Sequence, residues 1–407
     1  MPAEIFTPEQ IEQFRAETPG CSHVIHFNNA GSSLPANVVL QAITDYLRDE
    51  ALMGGYEAEY VYRDALQETY SLIGRLINAD PSEIALVENA SNGWCIAFHG
   101  IAFQPGDEVI ISELEYVTNM IGVLNAKELY GIGLKVIPND GQGNFSLDTL
   151  EAAINPRTRI IAVTHVASTT GGVLPVEAIG QIAARHNILY LLDACQSVGQ
   201  MPVDVKAIGC DFLAVTGRKY LRAPRGTGFL YVCKSAQDKI RPLFIDGHSI
   251  NSIDETGYQP RSDARRFEFY EKNRAITLGL TKAVEYALNI GINSIWQRIS
   301  HLAAAMREQL GQIPGVTIHD IGDIRCGIVT FSVEGMDAAA VKRQLAEQKI
   351  NVSVGQAKST LLFMNKHRLQ SVVRASVHYY NTLQEIEKLC TAIAAASTES
   401  PAMVASA

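Results

Sequence analysis

The chain has 407 residues, of which 47% are hydrophobic and 19% are charged, and its formal net charge is −9. This composition excludes disordered and fibrous proteins, and the length predicts two domains that share an interface. Acidic and basic residues are interleaved without a dense lysine or arginine tract, so nucleic acid is excluded as a partner.

Signals for export, membranes and metals are lacking in the sequence. The first twenty residues are charged and polar, without the apolar core of a signal peptide, and no uncharged run is long enough to cross a bilayer. The seven cysteines are scattered and form no C-x-x-C pair, which argues against a disulfide framework and a structural zinc site. We therefore expect a cytoplasmic protein with no metal site and no membrane partner.

Short apolar runs alternate with amphipathic helical stretches from residue 28 to about residue 232. Several of these runs consist of Val, Ile and Leu throughout, which is typical of strands covered on both faces. The alternation predicts an α/β fold with a mostly parallel seven-stranded sheet and helices on both faces. The predicted strands are residues 84–89, 108–113, 134–139, 159–166, 188–194, 211–216 and 226–232.

The pattern changes at residue 273, where one long helix is predicted over residues 273–313. Strand-like and helix-like segments follow it, which indicates a smaller α+β domain at the C-terminal end. The predicted organisation is an N-terminal arm at 1–25, a large domain at 26–272, a small domain with its linking helix at 273–397, and a flexible tail at 398–407.

Small polar residues follow the first predicted strand, in LVENASNGW at 86–94. Ligands of open parallel sheets bind beyond the carboxyl ends of the strands, so the residues after each strand are the informative ones. Backbone N–H groups of Ala90, Ser91 and Asn92 could cradle a phosphate at a helix start. The alternative is that Ser91 or Asn92 only caps the helix.

Two further strand ends carry groups suited to a planar aromatic cofactor. Tyr116 follows the second strand and could stack on a ring, or could simply be packed. Asp193 closes an apolar strand, where an ionised carboxylate is costly without a partner such as a pyridinium nitrogen. Gln196 could bond a phenolic oxygen, and Asp193 could instead be a helix cap or a member of an ion pair.

Lys219 follows the strand at 211–216 in a loop that contains Arg218, Arg222 and Arg225. Neighbouring cations favour the neutral amine that a Schiff base requires, and Thr216 could add a hydroxyl to a phosphate site. A single lysine is more often an exposed surface residue. The order of phosphate turn, aromatic residue, aspartate and lysine along the chain nevertheless favours one pyridoxal 5'-phosphate (PLP) site.

The sequence resembles the class V aminotransferase-like enzymes, the cysteine desulfurase and selenocysteine lyase superfamily of fold-type I PLP proteins. The similarity runs from HFNNAGSSLP (26–35) to SVHYYNT (376–382), and it is most specific at 193–232, which follows the pattern D-x-x-Q…D-F…K…G-x-G-x-L-Y. The resemblance implies these roles: Lys219 forms the Schiff base, Asp193 meets the pyridine nitrogen, Gln196 bonds the phenolic oxygen, Ala90, Ser91 and Thr216 hold the phosphate, and Tyr116 stacks on the ring.

Arg374 matches the arginine that clamps the α-carboxylate of the amino-acid substrate in this superfamily. A bidentate guanidinium suits that task, because it fixes which bond to the α-carbon breaks. The alternative is a structural ion pair in the small domain.

Three departures separate this chain from the desulfurases. Tyr116 stands where they stack a histidine, and Arg218 replaces a histidine before the lysine. Their nucleophilic cysteine lies on a loop shortly before the carboxylate-binding arginine, but the matching stretch at 351–364 contains no cysteine. Cys326 and Cys390 lie outside it, so a persulfide-forming desulfurase is disfavoured.

The branch that contains the ergothioneine-biosynthesis C–S lyase and the cyst(e)ine lyases is more similar. The shared motifs are G-G-Y-E-A (54–58), R-K-Y-L-x-x-P-R-G (218–226), R-R-F-E (265–268) and V-H-Y-Y-N-T (377–382). This resemblance implies β-elimination from a cysteine-derived substrate such as an S-conjugate or sulfoxide, with release of a thiol, pyruvate and ammonia. Transamination, desulfuration through Cys326 and a binding module without catalysis remain as alternatives.

By analogy with enzymes of this fold, a homodimer is also expected. Further candidates to line the substrate pocket are Tyr56, Tyr60, Arg222, Arg225 and His248.

Overall fold

The structure is a computed structural model, and it describes residues 5–399. The predicted flexible tail therefore falls almost wholly outside the described residues, as do the first four residues of the predicted N-terminal arm. Within residues 5–399, no helix combines the length and the hydropathy that a bilayer crossing requires.

Thirteen α-helices and fifteen strands are present in the described residues. The helices are α1 Pro8–Ala16, α2 Asn37–Met53, α3 Gly55–Ile77, α4 Ala90–His99, α5 Val117–Tyr130, α6 Leu147–Ala153, α7 Val176–Arg185, α8 Val205–Ile208, α9 Arg274–Ile290, α10 Ile292–Gly311, α11 Ala338–Glu347, α12 Leu361–Lys366 and α13 Leu383–Glu399. The strands are β1 Ile25–His26, β2 Ile84–Val87, β3 Glu108–Ser112, β4 Gly133–Ile137, β5 Thr158–Thr164, β6 Leu189–Asp193, β7 Phe212–Thr216, β8 Gly228–Val232, β9 Ile250–Asp254, β10 Gly257–Pro260, β11 Val316–Ile318, β12 Ile328–Val333, β13 Ile350–Asn351, β14 Ser353–Gln356 and β15 Ser371–Ser376.

The central sheet has seven strands in the order β2-β8-β7-β6-β5-β3-β4. These are the seven predicted strands, and all share one direction except β8, which is antiparallel to both of its neighbours. Every residue of β3, β6, β7 and β8 is buried, because helices cover both faces of the sheet. The prediction of a mostly parallel α/β sheet is confirmed.

The register of the central strands brings three polar side chains to one edge of the sheet. Thr164 at the end of β5 pairs with Asp193 at the end of β6, and Asp193 pairs with Ala214 of β7. Thr216 closes β7 and pairs with Gly228, the first residue of the antiparallel strand β8. The loops that carry the predicted site therefore meet at this edge.

A second, antiparallel sheet has the order β11-β12-β15-β14. Helices α10 and α11 pack on it, and α13 packs against these two helices. The two-residue strand β1 pairs in parallel with β13, so that Ile25 lies beside Ile350. This sheet and its helices lie in the part of the chain for which a smaller α+β domain is predicted, and β1 joins the first part of the chain to that part.

The single helix predicted over residues 273–313 is wrong. Gly291 adopts φ +93 and separates α9 from α10. That backbone conformation is easy for glycine and costly for other residues, so the helical pattern continues in the sequence while the axis changes direction. The two helices serve different parts of the molecule, since α9 packs on α2 and α3 whereas α10 packs on the small sheet.

The stretch at 351–364, which matches the cysteine-bearing loop of desulfurases, is ordered structure in this protein. It contains β14, a short 3-10 helix at Ala357–Thr360 and the start of α12. The Thr169 hydroxyl donates to Thr360 Oγ1 over 2.6 Å, which ties this stretch to the large domain.

Candidate active site

A cavity of about 400 Å3 lies at the carboxyl ends of β5, β6 and β7. Seven of the eight residues predicted for the site line it, namely Ala90, Ser91, Tyr116, Asp193, Gln196, Thr216 and Lys219. Residues that were not predicted complete the wall, among them Glu88, Asn89, Asn119, Thr164, Ser168, Cys195 and Arg218. The eighth predicted residue, Arg374, stands behind this wall.

Asp193 is 5% exposed, and each of its carboxylate oxygens accepts one hydrogen bond. Asn119 Nδ2 donates to Oδ2 over 2.9 Å, and the backbone N–H of Cys195 donates to Oδ1 over 3.0 Å. Asp193 belongs to no ion pair with another described residue, so the ion-pair alternative is not observed. A buried carboxylate without a cation attracts a positively charged group of a ligand.

Asn119 and Glu115 lie next to Asp193, and sequence reasoning missed both. Asn119 Nδ2 also donates to Glu115 Oε2 over 3.1 Å, and Thr164 and Ser112 donate to the same carboxylate. Burial raises the pKa of Glu115 to about 7, although its hydrogen bonds oppose that shift. The only sequence signal is a glutamate four residues before an asparagine at a helix start, which is common.

Lys219 lies in the loop after β7, half-buried, with Nζ 6.0 Å from the centre of the Tyr116 ring. Burial lowers the pKa of Lys219, the Arg218 and Arg374 guanidiniums lower it further, and Asp193 opposes them. A lowered pKa makes the neutral amine, which can act as a nucleophile or a base, more accessible than in a solvent-exposed lysine. The alternative of an exposed surface lysine is wrong for this residue.

Contrary to the prediction, Arg222 does not line the cavity that contains Lys219. Its guanidinium donates to the Leu34 carbonyl oxygen over 2.8 Å and also to the hydroxyls of Tyr379 and Thr18. It faces the rings of Tyr379 and Tyr380 and is buried. The side chain belongs to a contact between the two ends of the chain and lies outside the cavity.

The start of α4 forms the predicted phosphate turn, with a different cap. Asn89 is the N-cap, and its side chain accepts from the N–H of Asn92 over 2.9 Å, so neither Ser91 nor Asn92 caps the helix. The first N–H groups of a helix have no intrahelical acceptor, which leaves those of Ala90 and Ser91 available. Arg218 Nη1 donates to Thr216 Oγ1 over 3.3 Å and adds positive charge beside them. An anion fits this end of the cavity.

Three buried polar atoms at or behind the cavity wall lack a hydrogen-bond partner among the described residues. They are Gln196 Oε1, Ser168 Oγ and Arg374 Nε. Such atoms are rare in folded proteins and indicate groups that a ligand satisfies. PLP fits this set, because its phosphate suits the start of α4, its pyridine nitrogen suits Asp193 and its phenolic group suits Gln196.

Arg374 lies in β15, between Thr330 of β12 and Ser353 of β14. Its Nη1 donates to the carbonyl oxygen of Ser168 over 3.1 Å, and Ser168 lines the cavity. It forms no ion pair with a described carboxylate, which removes the structural alternative for this residue. Strand β15 thus brings to the cavity wall a guanidinium that has no ion-pair partner among the described carboxylates.

All seven cysteines are free thiols. Cys195 lines the cavity, and burial raises its pKa to about 12, while burial raises the pKa of the enclosed Cys326 to about 11. Neither forms a thiolate readily near neutrality. No group of His, Cys, Asp and Glu side chains that could hold a metal ion occurs within residues 5–399.

The remaining pocket candidates separate into two groups. Arg225 lines the cavity. Tyr56 lies in a different groove beside α2, Tyr60 is 69% exposed on α3, and His248 bonds Glu268 over 3.0 Å. Within this subunit, Tyr56, Tyr60 and His248 do not line the cavity.

Comparison with known proteins gives a consistent family. The sequence profile of the family "Aminotransferase class-V" matches residues 25–389. A probable cysteine desulfurase of Methanothermobacter thermautotrophicus is 31% identical over 386 residues, covering 93% of this chain and 96% of that protein.

Solved structures agree. The apo structure of a cysteine desulfurase from Thermococcus onnurineus superposes with a TM-score of 0.90 at 27% identity, covering 95% of this chain and 98% of that one. The cystine C–S lyase C-DES, solved with its reaction product cysteine persulfide, has a TM-score of 0.84 at 24% identity over 93% of this chain and 99% of that one.

Proposed function

Because this chain belongs to the aminotransferase class-V family of fold-type I enzymes, which use PLP, we propose that it is a carbon–sulfur lyase acting on a cysteine-derived amino acid. The observation that carries the proposal is the composition of the cavity. Lys219, with its lowered pKa, shares the cavity with Asp193, while the one cysteine that lines it, Cys195, is a thiol of raised pKa.

PLP, when bound, withdraws electrons from the α-carbon of an amino acid and so makes its α-proton acidic. Asp193 would hold the pyridine nitrogen, the start of α4 with Thr216 the phosphate, and Tyr116 one face of the ring. Lys219 Nζ accepts the α-proton, a role that its lowered pKa supports. Arg374 orients the substrate by its α-carboxylate, as a guanidinium can with two parallel hydrogen bonds.

The overall reaction is a β-elimination followed by hydrolysis. The Cα–H and Cβ–S bonds break, the sulfur leaves with the bonding electron pair as a thiolate or sulfenate, and a proton converts it to the neutral product. Water then replaces the nitrogen, giving pyruvate and ammonia. No enzyme sulfur takes part, which agrees with the cysteine-free stretch at 351–364.

Cysteine desulfuration is the second candidate, since relatives carry that name and Cys195 lines the cavity. It requires a thiolate that attacks the substrate sulfur, and burial disfavours that form for Cys195 and Cys326. We expect C195A and C326A to keep product formation within about threefold of the wild type. Desulfuration would be favoured if either variant lost sulfur release and mass spectrometry found a persulfide on the wild-type enzyme.

The direct test is a substrate panel of cysteine, cystine, cysteine sulfoxides and S-conjugates, with pyruvate, alanine and released sulfur species quantified. We predict pyruvate in equal amount to the released sulfur product for at least one substrate, without an added keto acid. Alanine as the product would indicate a desulfurase. Accumulation of pyridoxamine phosphate, with turnover only when a keto acid is present, would indicate a transaminase.

We further propose that the enzyme is a homodimer. Several large apolar side chains are exposed on α2, α3 and the segment before α9, which is unusual for a monomer. Leu47, Tyr56 and Tyr270 share one groove there. The others include Leu52, Tyr60, Val61, Phe244 and Tyr258. A second copy of this chain would cover them.

A further inference from the structure

A hydrogen-bonded chain of two carboxylates and one amide runs from the cavity into the core. Asn119 Nδ2 lies 2.9 Å from Asp193 Oδ2 and 3.1 Å from Glu115 Oε2. All three side chains are at most 5% exposed. The amide therefore bridges the cavity-facing Asp193 to Glu115, which does not line the cavity.

Glu115 fixes which way the Asn119 amide points. Its Oε1 accepts from the Thr164 N–H over 2.7 Å and from Ser112 Oγ over 3.0 Å, and its Oε2 accepts from Thr164 Oγ1 over 3.0 Å. The carboxylate oxygens act as acceptors in all of these contacts, and Asn119 presents its NH2 group to Oε2. The second proton of that group is then directed at Asp193.

The Asp193 carboxylate is held from two separate elements. Asn119 in α5 donates to Oδ2, and the Cys195 N–H in the loop after β6 donates to Oδ1. Each oxygen accepts one bond, which fixes the plane of the group and leaves acceptor capacity for the cavity side.

We propose that Asn119 and Glu115 are positioning residues, which set the orientation of the Asp193 carboxylate toward the pyridine nitrogen of the cofactor. Asn119 bonds Asp193 directly, and Glu115 acts through Asn119. The inference rests on the contact between Asp193 and PLP proposed above. The geometry of this contact would then be determined by Glu115, just before α5, and Asn119, in its first turn.

The test is the dissociation constant of PLP, measured by absorbance and fluorescence titration of the apo form of the full chain. N119L keeps the side-chain size and removes the donor, and we expect its constant to rise about tenfold, the usual effect of one charge-assisted bond. The matched control is N155L. Asn155 Nδ2 donates to Glu108 Oε2 over 2.7 Å at the opposite edge of the same sheet, and the constant should stay within twofold of the wild type.

E115Q tests the indirect role and also serves if N119L fails to fold. The Thr164 N–H would hold the oxygen of a glutamine at position 115, so the glutamine NH2 group would face Asn119, which requires an acceptor there. The amide of Asn119 then either turns its oxygen toward Asp193 or loses its partner. E115Q alone should raise the PLP constant several-fold, and E115Q in the N119L background should change it less than twofold further. In both single variants kcat, expressed per enzyme-bound PLP, should fall while KM stays within twofold. Unfolding of part of the enzyme lowers the activity per total protein but not the activity per bound PLP.

Two results separate the possible failures. If D193N raises the PLP constant but N119L and E115Q leave it within twofold of the wild type, the positioning role is wrong and the cofactor contact stands. If D193N itself has no effect, the proposed Asp193 contact is wrong and the inference fails with it. Equal rises in N119L and N155L would also overturn it, since the effect would then be unspecific.

Discussion

Among the described residues that line the cavity, Tyr116 is the only aromatic one. Its side chain is 37% exposed, and its ring centre lies 6.0 Å from Lys219 Nζ. We expect Y116F to bind PLP like the wild type, because stacking requires only the ring. Y116L should weaken binding by about fivefold, since aromatic pairs contribute roughly 1 kcal/mol beyond burial.

The PLP titration of the Tyr116 variants has a matched control on the helix that follows Tyr116. Tyr130, the last residue of α5, is similarly exposed but does not line the cavity, so Y130L should leave the PLP constant unchanged. A Y116F variant that binds as weakly as Y116L would contradict stacking and would indicate a role for the hydroxyl.

The cofactor residues were predictable because each one follows a buried strand. Strand ends in a parallel sheet lie side by side, so Tyr116, Asp193 and Lys219 could be placed together from periodicity alone. Asn119 could not, because only the turn between β3 and α5 brings its amide to Asp193. Arg222 was misassigned for the same reason, since its partners are about 160 to 200 residues distant in the chain.

At the scale of elements, the contact between β8 and the phosphate turn depends on Gly228. A Cβ atom there would lie 2.3 Å from the Val215 carbonyl oxygen and 3.2 Å from Asn89 Cα. We expect G228A to displace the start of α4 and to weaken PLP binding at least tenfold, because the anion site is made of backbone N–H groups. Gly228 would thus shape the proposed phosphate turn although it does not itself line the cavity.

Gly257 provides the comparison for that experiment. It opens β10 in the exposed hairpin, and an added Cβ would meet no atom within 4 Å. G257A should therefore bind PLP as the wild type does. If G228A also retains wild-type affinity, the phosphate is not held at the start of α4.

The two ends of the chain are joined through Arg222, whose guanidinium contacts Thr18, Leu34 and Tyr379. R222M would remove the three hydrogen bonds that the buried guanidinium donates, so we expect the free energy of unfolding to fall by about 3 kcal/mol. Urea denaturation at saturating PLP measures this change. The absorption spectrum of the bound cofactor should not change, since Arg222 does not line the cavity.

Arg48 is the corresponding exposed arginine, with a surface ion pair to Asp45. R48M should change the free energy of unfolding by less than about 0.5 kcal/mol. A similarly small effect of R222M would show that the junction of the chain ends contributes little to stability.

Long apolar strands and amphipathic helices were predictable at the scale of elements, and short or glycine-determined features were not. Five of the seven strands of the central sheet are buried along their whole length and β5 is buried at all but one residue, which leaves a clear composition signal, whereas most of the edge strand β4 is not buried. The pairing of β1 with β13 involves two residues in each strand, too few for any periodicity. The break at Gly291 depends on one backbone angle, whereas the hydrophobic pattern runs through it.

At the scale of the whole molecule, the exposed apolar side chains of α2 and α3 predict association. Sedimentation should give a mass of about twice the 44.4 kDa of the chain. Tyr56→Asp combined with Leu52→Asp should shift the protein toward the monomer, because buried charges oppose association. A monomer at micromolar wild-type concentration would contradict the proposed homodimer.

The central proposal is that PLP is attached to Lys219. Borohydride reduction of the PLP-loaded protein converts that attachment into a stable secondary amine, and proteolysis with mass spectrometry locates it. We predict a pyridoxyl group on the peptide that contains Lys219, together with loss of the visible absorption band, and no such label in K219A. A label on a different lysine of the wild-type protein, or none, would contradict the assignment of this cavity as the active site.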